Sequence, residues 1–426
     1  MKIVKPLKLS VLHRTFQNAG QPVLAVTAMA FFPFSQPRKL LAEVPMWTSA
    51  MDALGSETPL DNAMPKSRGE LLVAGNAYVL GGKPGPATNV VVDMSTSSGS
   101  IKKELYVIGD RQWERSGPGA PVPFTAMPVT WSRAFGGPDF KPNHLGKGHA
   151  AIEVDGRKLH PLPNVEDKRA LVKSPDDEPV PVGLGPMDQQ WPVRAQHVGT
   201  YDDRWLKTRF PWFPDDFHWE FFNVAPEDQR IEGFFAGGER FRVEGMHPEK
   251  RVVEGEVPRL LPRLFVRKKG ELELVPMPAA RLDTLLLLPN IERGIAIYRS
   301  TINVAEDDAH DIGDLIAAFD DPAAPRPLSH FAAVVAKRED KRLAALNLLL
   351  DDDLLPPQPG DVAPEDDWND LMKLHEPKMY ALNRMLKKLD GHREELRDEL
   401  RARGLDPKLA DENVPEVKLP PRDPAA

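Results

Sequence analysis

Acid pairs at Asp202-Asp203 and Asp215-Asp216, histidines at 144, 149 and 160, and the run Gly81-Gly82-Lys83-Pro84-Gly85 are the residues whose types and spacing invite a chemical reading. Two carboxylates flanking a scissile bond would make a glycosidase, and nearby tryptophans would stack on sugar rings. Adjacent acids in Trp- and Pro-rich loops more commonly cap turns or pair with arginines. The histidines sit in a Gly/Pro loop without the ligand pair on one element that zinc sites use, and no His-Glu-x-x-His helix occurs. The glycine run lacks the Gly-Lys-Ser/Thr ending that sets a lysine and a hydroxyl on phosphate and magnesium, so it reads as a turn. There is no Gly-x-Ser-x-Gly elbow and no cysteine, which removes thiolate chemistry and disulfides. The expectation is a protein without catalytic residues, metal or cofactor.

The elements that must position these groups differ along the chain. Its 426 residues carry a net charge of −8, with 41% hydrophobic and 28% charged residues, a soluble globular composition of about two modules. This acidic balance offers no footprint for nucleic acid. Residues 301–426 hold 17 Lys+Arg against 28 Asp+Glu, leaving 38 against 35 for residues 1–300. The 44 prolines limit long helices and wide sheets. The apolar run Val23 to Phe34 is too short to span a bilayer and reads as a buried strand. No stable membrane insertion and a cytoplasmic location follow as expectations.

Residues 1–303 read as a mainly β domain of antiparallel sheets with long aromatic, Pro- and Gly-rich loops, and the chain as α+β overall. Strand signals are Val90-Val91-Val92, Leu105 to Ile108, Val252-Val253, and the pair Thr284 to Leu288 with Ile295 to Tyr298. Leu264 to Val275 reads as a hairpin turning at Lys268-Lys269-Gly270, with Leu272 and Leu274 on its return strand. Residues 304–350 read as helical, with helices at Asp311 to Phe319 and Ser329 to Leu350. Residues 351–366 form an acidic, Pro-rich linker and 367–404 an amphipathic helix whose stripe includes Leu382, Met385, Leu389 and Leu396. Residues 405–426 read as a disordered tail.

Seven of the eight tryptophans lie between positions 47 and 219, six of them after position 110, in loops too apolar to be solvated spacers. There a glycine turn, an aromatic and a charge recur together. The segments are Gly109-Asp110-Arg111-Gln112-Trp113, Trp131-Ser132-Arg133-Ala134-Phe135-Gly136-Gly137, Leu162 to Glu166, Gly183-Leu184-Gly185-Pro186 with Trp191 and Arg194, Gly199-Thr200-Tyr201-Asp202 with Trp205, and Phe221 to Pro226 with Asp228-Gln229. In this order, over roughly residues 1–300, they resemble the domain-of-unknown-function family of type VI secretion accessory proteins. Arg68-Gly69-Glu70 and Tyr298-Arg299 stand where that family carries an acidic residue before a strand and, often, Trp-Arg.

The resemblance implies a non-enzymatic chaperone or adaptor. Its implied partners are a secreted effector with a PAAR-type domain or hydrophobic segment, and the VgrG/PAAR spike onto which the effector is loaded. Read physically, Asp110, Arg111, Trp113, Trp131, Phe135, Trp191, Arg194, Tyr201, Asp202, Trp205, Phe222, Asn223 and Gln229 either knit loops onto the sheet or line a groove for cargo. Arg111, Arg194 and Arg209 are expected to stack on indoles or fork onto carboxylates such as Asp110 or Asp202, and Gly136 and Gly137 to be turns without room for a side chain. The stripe at Leu382, Met385, Leu389 and Leu396 either docks on its own protein or awaits a partner helix. The alternative function is a carbohydrate-active β-domain enzyme using loop carboxylates and stacking tryptophans.

Overall fold

Three sheets grow from the runs that the alternation marks. The computed structural model describes residues 1–6, 9–18, 20–40, 64–154, 156–305, 311–339 and 354–355. All of these fall in one compact unit, Met1–Trp368. The main strands are β1 (Lys2–Val4), β2 (Leu9–Asn18), β3 (Gln21–Pro33), β4 (Gly69–Val73), β5 (Ala87–Thr96), β6 (Gly99–Ile108), β7 (Val165–Glu166), β8 (Arg230–Ile231), β9 (Arg240–Glu244), β10 (Val252–Glu256), β11 (Leu261–Lys268), β12 (Val275–Pro276), β13 (Arg281–Leu288), β14 (Arg293–Asn303) and β15 (Ile312–Asp320). Between them lie short helices α1 (Pro192–Ala195) and α2 (Asp203–Thr208), and α3 (Leu328–Glu339) follows the last strand. The described residues are therefore mainly β.

The largest sheet runs β8-β4-β13-β14-β3-β2. β13 is parallel to β4, with Leu285 opposite Leu71, and the other neighbours are antiparallel. Every residue of β3 after Gln21 is buried, which is why its apolar run is unbroken rather than alternating. The second sheet, β7-β6-β5-β9-β10, is antiparallel throughout. Here the two-residue period is plain: Val90, Val92 and Met94 of β5 point inward with Ile101, Leu105 and Val107 of β6. Both sheets feed one core that also takes Leu315, Ala317 and Phe319 of β15.

The third sheet, β1-β15-β11-β12, corrects the expected helix at Asp311 to Phe319 and the expected domain limit at 303. Residues 312–320 form a strand, parallel to β1 and antiparallel to β11. Leu315, Ala317 and Phe319 face the main core, while Ile316 and Ala318 join Val4 and Phe265 under Phe331, Val334 and Val335 of α3. A short apolar segment buried on both faces carries no periodicity that separates strand from helix. Asp314 and Asp320 end the run, paired with Arg267 and with Arg263 and Arg326.

Two smaller corrections concern loops. Gly270 turns the chain after β11 at φ +78°, but return pairing begins only at Val275, opposite Val266. Leu272 is 76% exposed, so the intervening segment is loop. Leu354 and Leu355, assigned to the linker, are buried, and Leu354 packs with Phe331. The rest of the linker, the helix 367–404 with its stripe, and the tail lie outside the described residues.

Leu285 is fully buried where the two large sheets meet. Leu285→Ala is expected to lower the unfolding free energy by about 2–5 kcal/mol, the usual cost of a core cavity, read as a reduced midpoint in denaturant melts.

Candidate functional site

The aromatic–glycine segments are tied to the sheets largely through side-chain bonds to backbone, as loops without ladder partners require. Asn164 donates to Ile108 O at 2.9 Å and to Asp110 Oδ1 at 3.1 Å, and Arg133 donates to Asn164 Oδ1 at 3.0 Å. Lys147 Nζ lies 3.0 Å from the same Asp110 oxygen. Burial works against the Asp110 charge, but these donors prevail and hold its carboxyl below the usual range. Arg111 pairs with Glu166, whose other oxygen accepts the Val172 amide at 2.8 Å. Phe135 packs on Phe140, with ring centroids 5.2 Å apart, in a satellite core with Leu162 and Val172, against which Trp113 rests.

Buried Asn143 donates to Trp131 O at 2.8 Å and Phe135 O at 3.0 Å. At Gly136 a Cβ would lie 2.1 Å from Asn143 O, so the close approach admits only glycine. The expected collision does not extend to Gly137, where the nearest atom, His149 Cβ, would be 3.5 Å away.

Arg194 is fully buried, donating to Phe221 O at 2.9 Å and Met187 O at 2.8 Å, with its guanidinium 5.0 Å from the Phe221 ring centroid. Arg194 thus lies over a phenylalanine ring in place of an indole, and Arg111 pairs with a carboxylate, Glu166. Arg209 does lie over Trp212, at 5.9 Å. Gln229 donates to Leu71 O at 2.7 Å and Leu184 O at 3.1 Å, fastening its loop to β4.

Motifs and alternation gave no role to a second set of buried charges, around β4. Glu70, on β4, accepts from Lys66, from the amides of Val224 and Ala225 at 2.7 and 3.0 Å, and from Asn223 at 3.3 Å. Lys66 also donates to Phe222 O at 2.7 Å, and Asn223 to Arg68 O at 2.9 Å. Burial disfavours the Glu70 charge, but the Lys66 ammonium and the backbone donors outweigh it and keep its carboxyl below the ordinary range. Beside this group a β-bulge between Leu282 and Thr284 turns Asp283 inward onto Arg299. Lys66 and Glu70 are neighbours in sequence, but the groups at 223–225 that satisfy Glu70 come from more than 150 residues away, so no local pattern announces the set.

Above it opens a cavity of about 870 Å³. Trp131, Trp191 and Met187 form its floor, Trp131 and Trp191 meeting edge to face at 4.7 Å. Val180, Pro181, Val182, Pro192 and Val193 line its walls, with Val180 83% and Val193 48% exposed. Charged residues rim it: Arg68 forks onto Glu227 at 2.8 Å through both terminal nitrogens, and Lys103 meets Asp228 at 2.8 Å. His197 and Glu220 stand at one side, where His218 also converges; the ligand atoms of these three lie within 4.8 Å of one another. The volume falls within the range of ligand sites.

A second surface surrounds α2. Tyr201, Trp205 and Phe210 form an edge-to-face row with centroids 4.7 and 5.6 Å apart, and Tyr201, Leu206 and Phe210 are exposed. Three of the carboxylates here are engaged. Asp202 caps α2 by accepting the Trp205 amide at 2.8 Å, Asp215 meets Arg209 at 3.0 Å, and Asp216 accepts from Thr200 N and Oγ1 at 2.9 and 2.7 Å. Phe222 is buried among Phe213, Phe217 and Trp219. Of the residues singled out in the sequence, Trp131 and Trp191 therefore line the cavity, and Tyr201 and Trp205 form the outer row. Asp110, Arg111, Trp113, Phe135, Gly136, Arg194, Asn223 and Gln229 organise the loops.

The chain belongs to the family described as "Uncharacterized protein conserved in bacteria (DUF2169)", whose model matches residues 19–299. No curated protein and no solved structure matches it.

Glu70→Gln keeps the shape of the side chain but strands the Lys66 charge, and is expected to cost about 3–5 kcal/mol at pH 7. The folded carboxyl titrates below its ordinary value of 4.5, so its contribution is complete above that value and disappears as pH falls through the depressed one. Wild-type and variant melting temperatures should therefore differ most near neutrality and converge in acid; a gap constant down to the acid limit would contradict this assignment.

Proposed function

We propose that this family member is a non-catalytic chaperone or adaptor whose tryptophan-floored cavity receives an apolar segment of a secreted effector. On the resemblance described above, the cargo is a type VI secretion effector carrying a PAAR-type domain or a hydrophobic segment, held in the cytoplasm and handed to the VgrG spike. The observation that carries the reading is the cavity itself: an apolar floor and walls, two strongly exposed valines at the entrance, and a rim of charges already paired with one another. Such a wall rewards burial of apolar surface at about 25 cal/mol per Å² before ordering costs are met. The paired rim resists non-specific capture of charged ligands. Engagement of Asp202, Asp215 and Asp216 in caps, turns and ion pairs speaks for binding over glycoside chemistry. Among the described residues, no helix is long and apolar enough to cross a membrane. The α+β organisation, with the 367–404 stripe as a further contact for partner helices, belongs to the same proposal.

The test is co-expression with a type VI effector that carries a PAAR-type domain or a hydrophobic segment, in a strain that contains both genes. Wild-type protein should co-purify with the effector and raise its soluble yield and secretion. The double substitution Val180→Asp and Val193→Asp, at exposed sites that leave the core intact, should weaken capture by roughly 30-fold, matching a loss of about 2 kcal/mol. Undiminished effector solubility and secretion in a deletion strain would end the proposal.

A further inference from the structure

We infer that His197, His218 and Glu220 form a binding site for one divalent transition-metal cation of the zinc type, which clips together the two ends of the aromatic loop between them. This rests on geometry independent of the cargo reading. His197 follows α1, where its amide donates to Arg194 O at 2.9 Å, and His218 and Glu220 open the 3-10 turn Trp219–Phe222. The His218 amide donates to His197 O at 3.0 Å, so the main chain holds the two imidazoles side by side, centroids 5.3 Å apart and planes 37° from parallel. His197 Nε2 lies 3.6 Å from Glu220 Oε2. Tetrahedral zinc with bonds of about 2.0–2.1 Å sets its ligand atoms roughly 3.4 Å apart. The set, already within 4.8 Å, thus needs shifts of only about an ångström to close on an ion.

The donor chemistry selects the ion. Two imidazoles and one carboxylate suit zinc and its neighbours, whereas magnesium and calcium want more oxygens. His218 Nδ1 accepts the Glu220 amide at 3.3 Å, a long bond that a metal bond replaces. Arg68 Nε sits 3.2 Å from Glu220 Oε1, a charge contact that leaves the other oxygen to His197. Arg230, 3.9 Å from Oε2, opposes a cation, but it is engaged by Ala225 O, Asn223 O and Glu227. His197 and Glu220 also line the cavity, so the remaining coordination position opens into it. The consequence is mechanical. The loop from 198 to 217 carries exposed Tyr201, Leu206 and Phe210, and an ion at its base removes loop-closure entropy from a long connection.

The test uses the untagged full chain, stripped with chelator and titrated with zinc chloride by calorimetry at neutral pH. One equivalent should bind, with affinity falling as the solution is acidified through the histidine range. His197→Ala, His218→Ala and Glu220→Gln should each weaken binding by at least about 100-fold. The His218 ring is exposed and its cap bond is long, so in chelator His218→Ala should melt at most a few degrees below wild-type protein, and each protein is compared with and without zinc. Zinc should raise the melting temperature and slow proteolysis within residues 198–217 in wild type but not in that variant. Absence of zinc binding, equal binding of magnesium, or zinc binding unchanged in all three variants would overturn the site.

Discussion

The arrangement depends on a small set of charges buried where solvent does not reach. Lys66, Glu70, Asp283 and Arg299 are each less than a tenth exposed. An isolated charge at that depth is strongly disfavoured, so each must be paired and hydrogen-bonded. Glu70 meets this demand by recruiting the amides of Val224 and Ala225, and Lys66 by recruiting the carbonyl of Phe222. The segment 222–225 is thereby drawn onto β4. The aromatic cluster on one side of it and the Gln229 turn on the other are placed by this one constraint.

The same logic extends outward through the Pro-rich connections. Such chain cannot satisfy its backbone in long ladders, so Asn143, Asn164, Arg194 and Gln229 take over, each reaching carbonyls in other segments. Held this way, Trp131 and Trp191 pack into the main core and still line the cavity. They remain as the floor of an open space whose walls are valine and proline.

Much of the β architecture was legible in local pattern. The run at Val23 to Phe34, the triplet at Val90 and the pair Thr284 to Leu288 with Ile295 to Tyr298 are strands where β-branched and apolar residues cluster between turns. Residues 312–320 were not legible, since alanine and leucine buried on both faces suit either element until β1 and β11 supply ladder partners. Within the site, the tryptophans and the loop-binding Arg194, Asn223 and Gln229 stood out by type. The Lys66–Glu70 pair, the Asp283 bulge and the three converging groups at 197, 218 and 220 did not.

Composition and alternation by themselves determined a strand-rich chain without cysteine chemistry, with aromatic residues concentrated in its loops and several glycines bound to turns. Those are properties of neighbours in sequence, governed by steric preference and by a side-chain period of two. Only the tertiary structure decided which tryptophans face a cavity, which carboxylates are engaged and which histidines meet a glutamate. The reason is that pairing a charge or lining a hollow depends on distances across the fold, and those are set by sheet register and burial.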